Sequence, residues 1–112
     1  MNEWFTYDKF ISDAPGQAIV SISGGLSYAV KGTPATLECH FMTDSDQGNP
    51  KANSYVWTHN GKNVNNEQIY LNQLRTGPND ISTAGEYKCA PVNQVGQGKW
   101  GSIWLDVKGK AF

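Results

Sequence analysis

The sequence predicts a folded all-β domain from its composition, its alternating segments and its turns. The 112 residues are 38% hydrophobic and 17% charged, which is typical of one globular domain rather than a disordered tail. Apolar and polar residues alternate in three segments, Ala35–Phe41, Tyr55–His59 and Glu86–Val92, as in strands that bury one face. Glycine, proline and asparagine-glycine turns separate the segments, so we expect short strands joined by turns.

The segment around Cys89 carries the most specific motif of the chain. Tyr87 stands two residues before Cys89 and follows a tight Ala84-Gly85 turn. Upstream, Cys39 lies in one alternating segment and Trp57 lies at the centre of the next. This order predicts a buried indole close to the cysteines and a tyrosine that fixes the start of a strand.

These residues resemble the immunoglobulin superfamily, and most closely its intermediate (I-set) branch. The family pattern near the second cysteine reads roughly Asp-Ala-Gly-x-Tyr-x-Cys-x-Ala-x-Asn-x-x-Gly, with Leu-x-Val further on. The matching residues here are Ala84, Gly85, Tyr87, Cys89, Asn93, Gly96, Leu105 and Val107. Thr83 stands in place of the family's aspartate and Pro91 in place of its alanine, so the usual salt bridge across one end of the domain is not expected. The resemblance covers residues 19 to 107 and implies an immunoglobulin-like two-sheet sandwich with Greek-key connections.

The resemblance also implies a disulfide between Cys39 and Cys89. Such a bridge closes a loop of about fifty residues and contributes roughly 4 kcal/mol by restricting the unfolded chain. It favours an oxidising, extracellular location, at the cell surface or secreted. The alternative is a pair of reduced core thiols, as in intracellular muscle members of the family.

Residues 18–108 form the predicted immunoglobulin-like domain, between an N-terminal segment, 1–17, and a C-terminal tail, 109–112. The N-terminal segment is rich in large apolar side chains: Trp4, Phe5, Tyr7, Phe10 and Ile11. It is either an aromatic arm that covers apolar surface or docks a partner, or a linker. Because Met1 leads directly into polar sequence without a secretory signal, we expect the domain to be part of a larger multidomain chain.

The strands can be assigned in order. Ile19–Ile22 begins strand A, and a bend at Gly24-Gly25 lets Leu26–Val30 continue it on the opposite sheet. The inward-facing residues of the later strands are expected to be Leu37, Cys39 and Phe41 in B, Tyr55 and Trp57 in C, Ile69, Leu71 and Leu74 in E, Tyr87, Cys89 and Pro91 in F, and Ile103, Leu105 and Val107 in G. Asn60-Gly61 is a hairpin signal after strand C, and residues 62–68 form a short edge strand or a loop.

An unusually long polar loop, residues 42–54, joins strands B and C. Asp44 and Asp46 lie two residues apart in it, as calcium ligands often do. A bidentate glutamate is missing at the required spacing, so we expect a solvated loop and no metal site.

The sequence offers no set of residues for catalysis. His40 and His59 fall on opposite phases of their strands, so a zinc site shared with the cysteines would require neighbours on opposite faces to converge. No nucleophile with a base and a third orienting group can be named, so we expect no enzyme and no cofactor. A net charge of −1 gives no field that would attract nucleic acid or an acidic membrane, and no run of about twenty apolar residues would insert into a bilayer.

The outward phase of strands C, F and G suggests a binding surface, which we name the C-F-G face. If Leu105 points inward, the residues of strand G that alternate with it point outward. The outward residues are then Trp100, Ser102 and Trp104 of strand G, Lys88, Ala90 and Val92 of strand F, and Val56 and Thr58 of strand C. The candidate protein-binding residues are Val56, Ala90, Val92, Trp100 and Trp104. An exposed aromatic patch with polar neighbours is typical of a protein contact. Two alternatives are that the N-terminal arm covers the patch, or that a one-residue bulge reverses the phase of Trp104.

We therefore expect a non-catalytic recognition or adhesion module of a cell-surface or secreted protein. It would bind a protein partner, heterophilic or homophilic, through the C-F-G face or the B–C loop. The alternative is a structural immunoglobulin repeat of an intracellular filament or muscle protein, located in the sarcomere or cytoskeleton. A thiol assay under denaturing, non-reducing conditions separates the two classes, because only the second should contain free thiols.

Overall fold

The short alternating segments form the strands of a β-sandwich in the computed structural model, which describes residues 12–109. The strands are β1 (Ala18–Ile22), β2 (Ala29–Val30), β3 (Thr36–Phe41), β4 (Ser54–His59), β5 (Lys62–Asn63), β6 (Ile69–Tyr70), β7 (Gln73–Arg75), β8 (Gly85–Val92), β9 (Gly101–Leu105) and β10 (Val107–Lys108). The 3₁₀ turns are Ser23–Gly25, Asp44–Gln47, Asn66–Gln68 and Ile81–Thr83. Residues 1–11 of the predicted arm or linker, 1–17, and residues 110–112 of the predicted tail lie outside the described residues.

The strands form two four-stranded sheets, which confirms the predicted immunoglobulin-like sandwich. One sheet has the order β1-β3-β7-β6 and the other the order β5-β4-β8-β9. The chain therefore crosses between the sheets from β3 to β4, from β5 to β6 and from β7 to β8, as Greek-key connections do. Strand A also divides as predicted: β1 pairs with β3, whereas β2 pairs in parallel with β10 at the end of strand G.

A disulfide, an indole and three leucines form the centre of the core. Cys39 and Cys89 are bonded across the two sheets with their Cα atoms 6.2 Å apart. Trp57 pairs with Cys89 in the β4–β8 register and is 1% exposed. The leucines are Leu37, Leu74 and Leu105, each at most 1% exposed. The inward phases predicted for these residues are confirmed.

The predicted tyrosine corner is present at the start of β8. The Tyr87 hydroxyl donates a hydrogen bond of 2.6 Å to the carbonyl of Thr83, and burial raises the pKa of Tyr87 to about 12. The ring of His59 stacks on Tyr87 with centroids 4.2 Å apart, and its Nε2 lies 2.8 Å from the Ala84 carbonyl. Gly85 is required here because its φ is 132° and a Cβ would overlap the Asn60 side chain.

A neutral hydrogen-bond network lies at the same end of the sandwich, where the family salt bridge is not expected. Asn79 is 1% exposed, and its side chain accepts from the Thr76 hydroxyl (2.9 Å) and donates to the Thr33 carbonyl. The Thr76 hydroxyl also accepts from the backbone N–H of Ala35 at 2.9 Å. These bonds join the segment before β8 to the turn before β3.

The prediction for strand E is wrong at one residue. Leu71 does not point inward: it is 67% exposed and occupies the turn between β6 and β7 with φ 53°. Ile69 and Leu74 are opposite each other in the β6–β7 register, so the region is a hairpin rather than one continuous strand. A leucine with positive φ is uncommon, so the residue type at position 71 does not indicate a turn.

Candidate functional site

Strand β9 presents Trp104 to solvent, as its phase predicts. Gly101 and Leu105 are buried, whereas Ser102 and Trp104 are exposed, Trp104 by 62%. The β8–β9 register runs without interruption from Gly85 opposite Leu105 to Cys89 opposite Gly101. The bulge considered as an alternative is therefore not present in this pair of strands.

The register divides the predicted apolar patch into two parts. Trp104 is opposite Glu86, and the next outward pair is Ser102 opposite Lys88. The apolar pair Val56 and Ala90 lies further along the sheet. Four residues of strand separate Trp104 from Trp100, which is roughly 13 Å. Trp104 and the aliphatic residues are thus not one continuous surface.

Ala90 is not exposed, which corrects the prediction for this residue. Its relative exposure is 0%, whereas Val56 and Val92 are partly exposed and Trp100 is 39% exposed. Ala90 carries one methyl group on a central strand and faces the larger Val56 on β4. The methyl group of Ala90 therefore has no exposed surface, contrary to the exposure that the strand phase predicts.

Polar groups surround Trp104 and hold it in position. Its Nε1 donates a hydrogen bond of 3.0 Å to the Asp106 carboxylate. On the neighbouring strand, Lys88 and Glu86 form an ion pair at 3.9 Å, with both side chains nearly half exposed. An exposed pair of this kind contributes about 0–1 kcal/mol to folding. Trp104 is therefore an exposed aromatic side chain that has charged neighbours and is held in position by a hydrogen bond from its indole N–H.

The B–C loop, the second predicted binding element, is held by an aspartate. The carboxylate of Asp46 accepts hydrogen bonds from the Thr43 hydroxyl (2.8 Å), the Thr43 N–H (2.9 Å) and the Gln17 N–H (3.1 Å). These bonds, the Thr43 hydroxyl first, lower the pKa of Asp46. The Asp46 oxygens, considered as calcium ligands, are thus engaged within the protein. The described residues hold no cluster of three or more His, Cys, Asp or Glu side chains that could bind a metal ion.

Asn93 joins the B–C loop to two other segments. Its side-chain amide donates to the carbonyls of Asp13 (2.6 Å) and Pro50 (2.8 Å). Its side-chain oxygen accepts from the N–H groups of Val95 (2.9 Å) and Gly96 (3.2 Å). One side chain, 5% exposed, therefore connects the N-terminal segment, the B–C loop and the F–G turn.

The N-terminal segment next to β1 is packed closely against strand G. Lys99 N donates to the Gly16 carbonyl at 2.9 Å, and Gln17 Nε2 donates to the Trp100 carbonyl at 2.8 Å. A Cβ on Gly101 would lie 2.5 Å from the Ala18 carbonyl oxygen, so only glycine permits this approach. The described part of the predicted arm, residues 12–17, thus runs along the domain rather than away from it.

No helix in the described part of the chain is long and apolar enough to cross a membrane.

His40 is on the outer side of β3, as predicted, and its Nε2 lies 3.5 Å from the Glu38 carboxylate.

Similar folds occur in several solved protein structures. No family model matches the sequence, and no curated protein matches it. The full ectodomain of mouse nectin-like molecule 4 (Ig1–Ig3) has a TM-score of 0.59 and 18% identity over 90% of this chain and 32% of that chain. Extracellular domains 3–5 of Drosophila OTK give 0.57 and 18% over 80% and 31%. The N-terminal four Ig domains of Dscam1 isoform 7.44 give 0.60 and 22% over 86% and 22%.

These comparisons establish an immunoglobulin-like fold. At identities of 18–22% the similarity concerns the fold alone. The chain spans between about a fifth and a third of the length of these solved chains.

Proposed function

We propose that this domain is a non-catalytic protein-recognition module that binds a protein partner through Trp104 on the C-F-G face. The observation that carries the proposal is the exposure of Trp104, 62%, on a regular strand whose alternate residues are buried. Exposed tryptophans with polar surroundings are enriched among the residues that dominate protein contacts. Its hydrogen bond to Asp106 restricts the side chain before binding and so reduces the entropy lost on contact.

A cell-surface or secreted location is part of the proposal. The Cys39–Cys89 disulfide supports an oxidising compartment and argues against the intracellular filament repeat. Two of the similar solved structures are described as an ectodomain and as extracellular domains, and all three contain several domains. By analogy, this domain would be one unit of a multidomain adhesion or receptor protein.

We further propose that the domain is of the I-set type. Strand A divides between the sheets, with β1 beside β3 and β2 beside the end of strand G. The sheet that contains strands C, F and G carries only a two-residue strand, β5, after strand C. The short edge strand therefore supports the same I-set type that the motif around Cys89 indicates.

The proposal is tested by comparing the binding of the wild-type chain and Trp104→Ala. Fluorescent tetramers of each would be titrated onto intact cells, and self-association would be followed by analytical ultracentrifugation. Loss of a hot-spot tryptophan costs about 2 kcal/mol, so we expect binding to weaken by roughly 30-fold. The melting temperature should remain unchanged, since most of the side chain is already in water.

Two control variants make the result specific. Tyr70→Ala removes an aromatic ring that is 72% exposed on the other sheet and should leave binding unchanged. Trp57→Ala should lower stability by about 3–5 kcal/mol, because it empties a core site. Equal binding by Trp104→Ala and the wild type would reject Trp104 as the anchor.

A further inference from the structure

The indole of Trp104 has an acidic neighbour across the sheet and another along its own strand. Glu86 is directly opposite Trp104 in the β8–β9 register, so their Cβ atoms are about 5 Å apart. Asp106 follows two residues after Trp104, and its Oδ1 accepts the indole N–H at 3.0 Å. The backbone of Glu86 is held by Asn60: Glu86 N donates to Asn60 Oδ1 at 2.9 Å, and Asn60 N donates to the Glu86 carbonyl at 2.8 Å. The fold therefore keeps both acidic residues beside the ring.

The hydrogen bond of the indole determines which part of the ring remains available to a partner. An aromatic ring is negative on its faces and positive at its edge. In Trp104 the N–H at the edge is already bound to the Asp106 carboxylate, while the side chain is 62% exposed. A cation placed over the face of a tryptophan is attracted by the ring, more strongly than by tyrosine or phenylalanine. Two carboxylates beside the ring add to that attraction.

Two lysines of the same strands have other contacts. Lys88 Nζ on β8 lies 3.9 Å from Glu86 Oε1, with both side chains nearly half exposed. Lys108 Nζ on β10 lies 4.9 Å from the centre of the Tyr28 ring, so this domain already contains one cation over an aromatic ring. An exposed ion pair such as Lys88–Glu86 is weak, so a second cation can compete for the carboxylate of Glu86.

We propose that Trp104, Glu86 and Asp106 form a site for an arginine side chain of the protein partner, an inference that rests on the proposed function of Trp104. A guanidinium group is planar, so it stacks on an indole face while its N–H groups donate to carboxylates at its edge. Within residues 12–109, Glu86 Oε2 and Asp106 Oδ2 have no hydrogen-bond partner, so each can accept from such a group. The ammonium of a lysine is a point charge that does not stack, so the site should prefer arginine.

The first test uses the isotope-labelled full chain and three blocked amino acids as probes: N-acetylarginine amide, N-acetyllysine amide and N-acetylcitrulline amide. Citrulline has the shape of arginine without its charge. NMR would follow the Trp104 indole N–H and the Glu86 amide at equal probe concentrations. We expect the arginine probe to shift both signals roughly 3-fold more than the citrulline probe, with the lysine probe between them.

Charge variants of the same chain make the result specific to this site. Glu86→Gln and Asp106→Asn each remove a negative charge and keep an acceptor oxygen, so each should lower the shift of the indole signal by about 2-fold. Lys88→Gln removes the competing cation and should raise that shift by a similar factor. The matched controls, Glu67→Gln and Lys51→Gln, make the same changes in net charge at exposed positions outside β8 and β9 and should leave the shift unchanged.

Equal shifts with the arginine and citrulline probes would overturn the proposal, as would a larger shift with the lysine probe or a decrease in Lys88→Gln. The tetramer assay on intact cells separates this inference from the proposed function, with Glu86→Gln expected to bind about 3-fold more weakly than the wild type. If Trp104→Ala weakens cell binding while Glu86→Gln and Lys88→Gln bind as the wild type does, only the arginine site is wrong. If Trp104→Ala itself binds as the wild type does, the proposed function is wrong as well.

Discussion

The two ends of the sandwich each contain a buried asparagine, but the two side chains connect different numbers of segments. Asn79 precedes β8 and Asn93 follows it, so they lie at opposite ends of the strand. The Asn79 side chain bonds to two residues, Thr76 and Thr33, whereas Asn93 makes four side-chain bonds to three segments.

The two ends differ in the hydrogen bonds that remain when the asparagine side chain is removed. At the first end, Asn79 N still donates to the Thr33 carbonyl and Gly32 N to the Asn79 carbonyl, and the Thr76 hydroxyl can donate to Ala35 O at 3.3 Å. At the other end, Asn49 N still donates to the Asp13 carbonyl at 2.9 Å, but the F–G turn loses the side chain that joins it to the B–C loop and to the N-terminal segment. The long loop therefore keeps its backbone pairing with the N-terminal segment and loses its side-chain connection to the F–G turn, whereas the short turn keeps several connections.

The largest effect should come from removing the side chain that joins three segments. Asn93→Ala should lower the free energy of unfolding by about 2–4 kcal/mol, because the Pro50 carbonyl loses the Asn93 donor and the N–H groups of Val95 and Gly96 lose the Asn93 acceptor. Asn79→Ala should cost about 1–2 kcal/mol, since the backbone bonds persist. Urea unfolding of both variants gives the two values, and hydrogen exchange should show opening of the B–C loop in Asn93→Ala only. Equal costs for the two variants would contradict the comparison.

A smaller effect is expected at the tyrosine corner. Tyr87→Phe removes the bond to the Thr83 carbonyl and should cost about 1 kcal/mol in urea unfolding. Because burial raises the pKa of Tyr87 to about 12, the neutral phenol stabilises the fold below the ordinary pKa of 10, and this contribution is lost as pH rises through about 12. An ultraviolet titration of the wild type should show a late tyrosine step that Tyr87→Phe lacks. The same late step in the variant would assign it to another tyrosine.

The smallest effect concerns Asp46 and is confined to the B–C loop. The pKa of this exposed carboxyl is lowered, so its contribution is present above the ordinary aspartate value and is lost as pH falls through the lower folded value. Hydrogen exchange at the Thr43 and Gln17 amides should therefore lose protection in acid. Asp46→Asn should make that protection independent of pH, with Asp44→Asn as the matched control. A pH response retained in Asp46→Asn would assign it to another group.

The sequence was sufficient to predict the core because its residues alternate with an unambiguous period. Trp57, Cys39, Tyr87 and Leu105 follow the two-residue repeat of their strands, and each is buried as expected. The repeat misleads at Leu71, because a turn built on a non-glycine residue with positive φ has no signature in the sequence.

For the candidate site, the sequence predicts which residues of a single strand face outward, but not which residues of neighbouring strands lie beside them. The phase of strand G gave the exposure of Trp104, but its position opposite Glu86 depends on the register with β8, which a single strand does not specify. The burial of Ala90 depends in the same way on the size of its cross-strand neighbours. The clamp formed by Asn93 joins residues up to 80 positions apart, so no local pattern could have indicated it.

The Cys39–Cys89 bond also determines how the domain would respond to tension. The two sulfurs join residues 50 positions apart, so a force applied at the two ends passes from β3 to β8 through the covalent bridge. The chain between the two cysteines, which contains β4 and Trp57, carries no load. The fully extended length of the domain is therefore about 170 Å shorter than that of the reduced domain. Only the segments outside the bridge can lengthen under force, and the cross-linked centre acts as a fixed-length link.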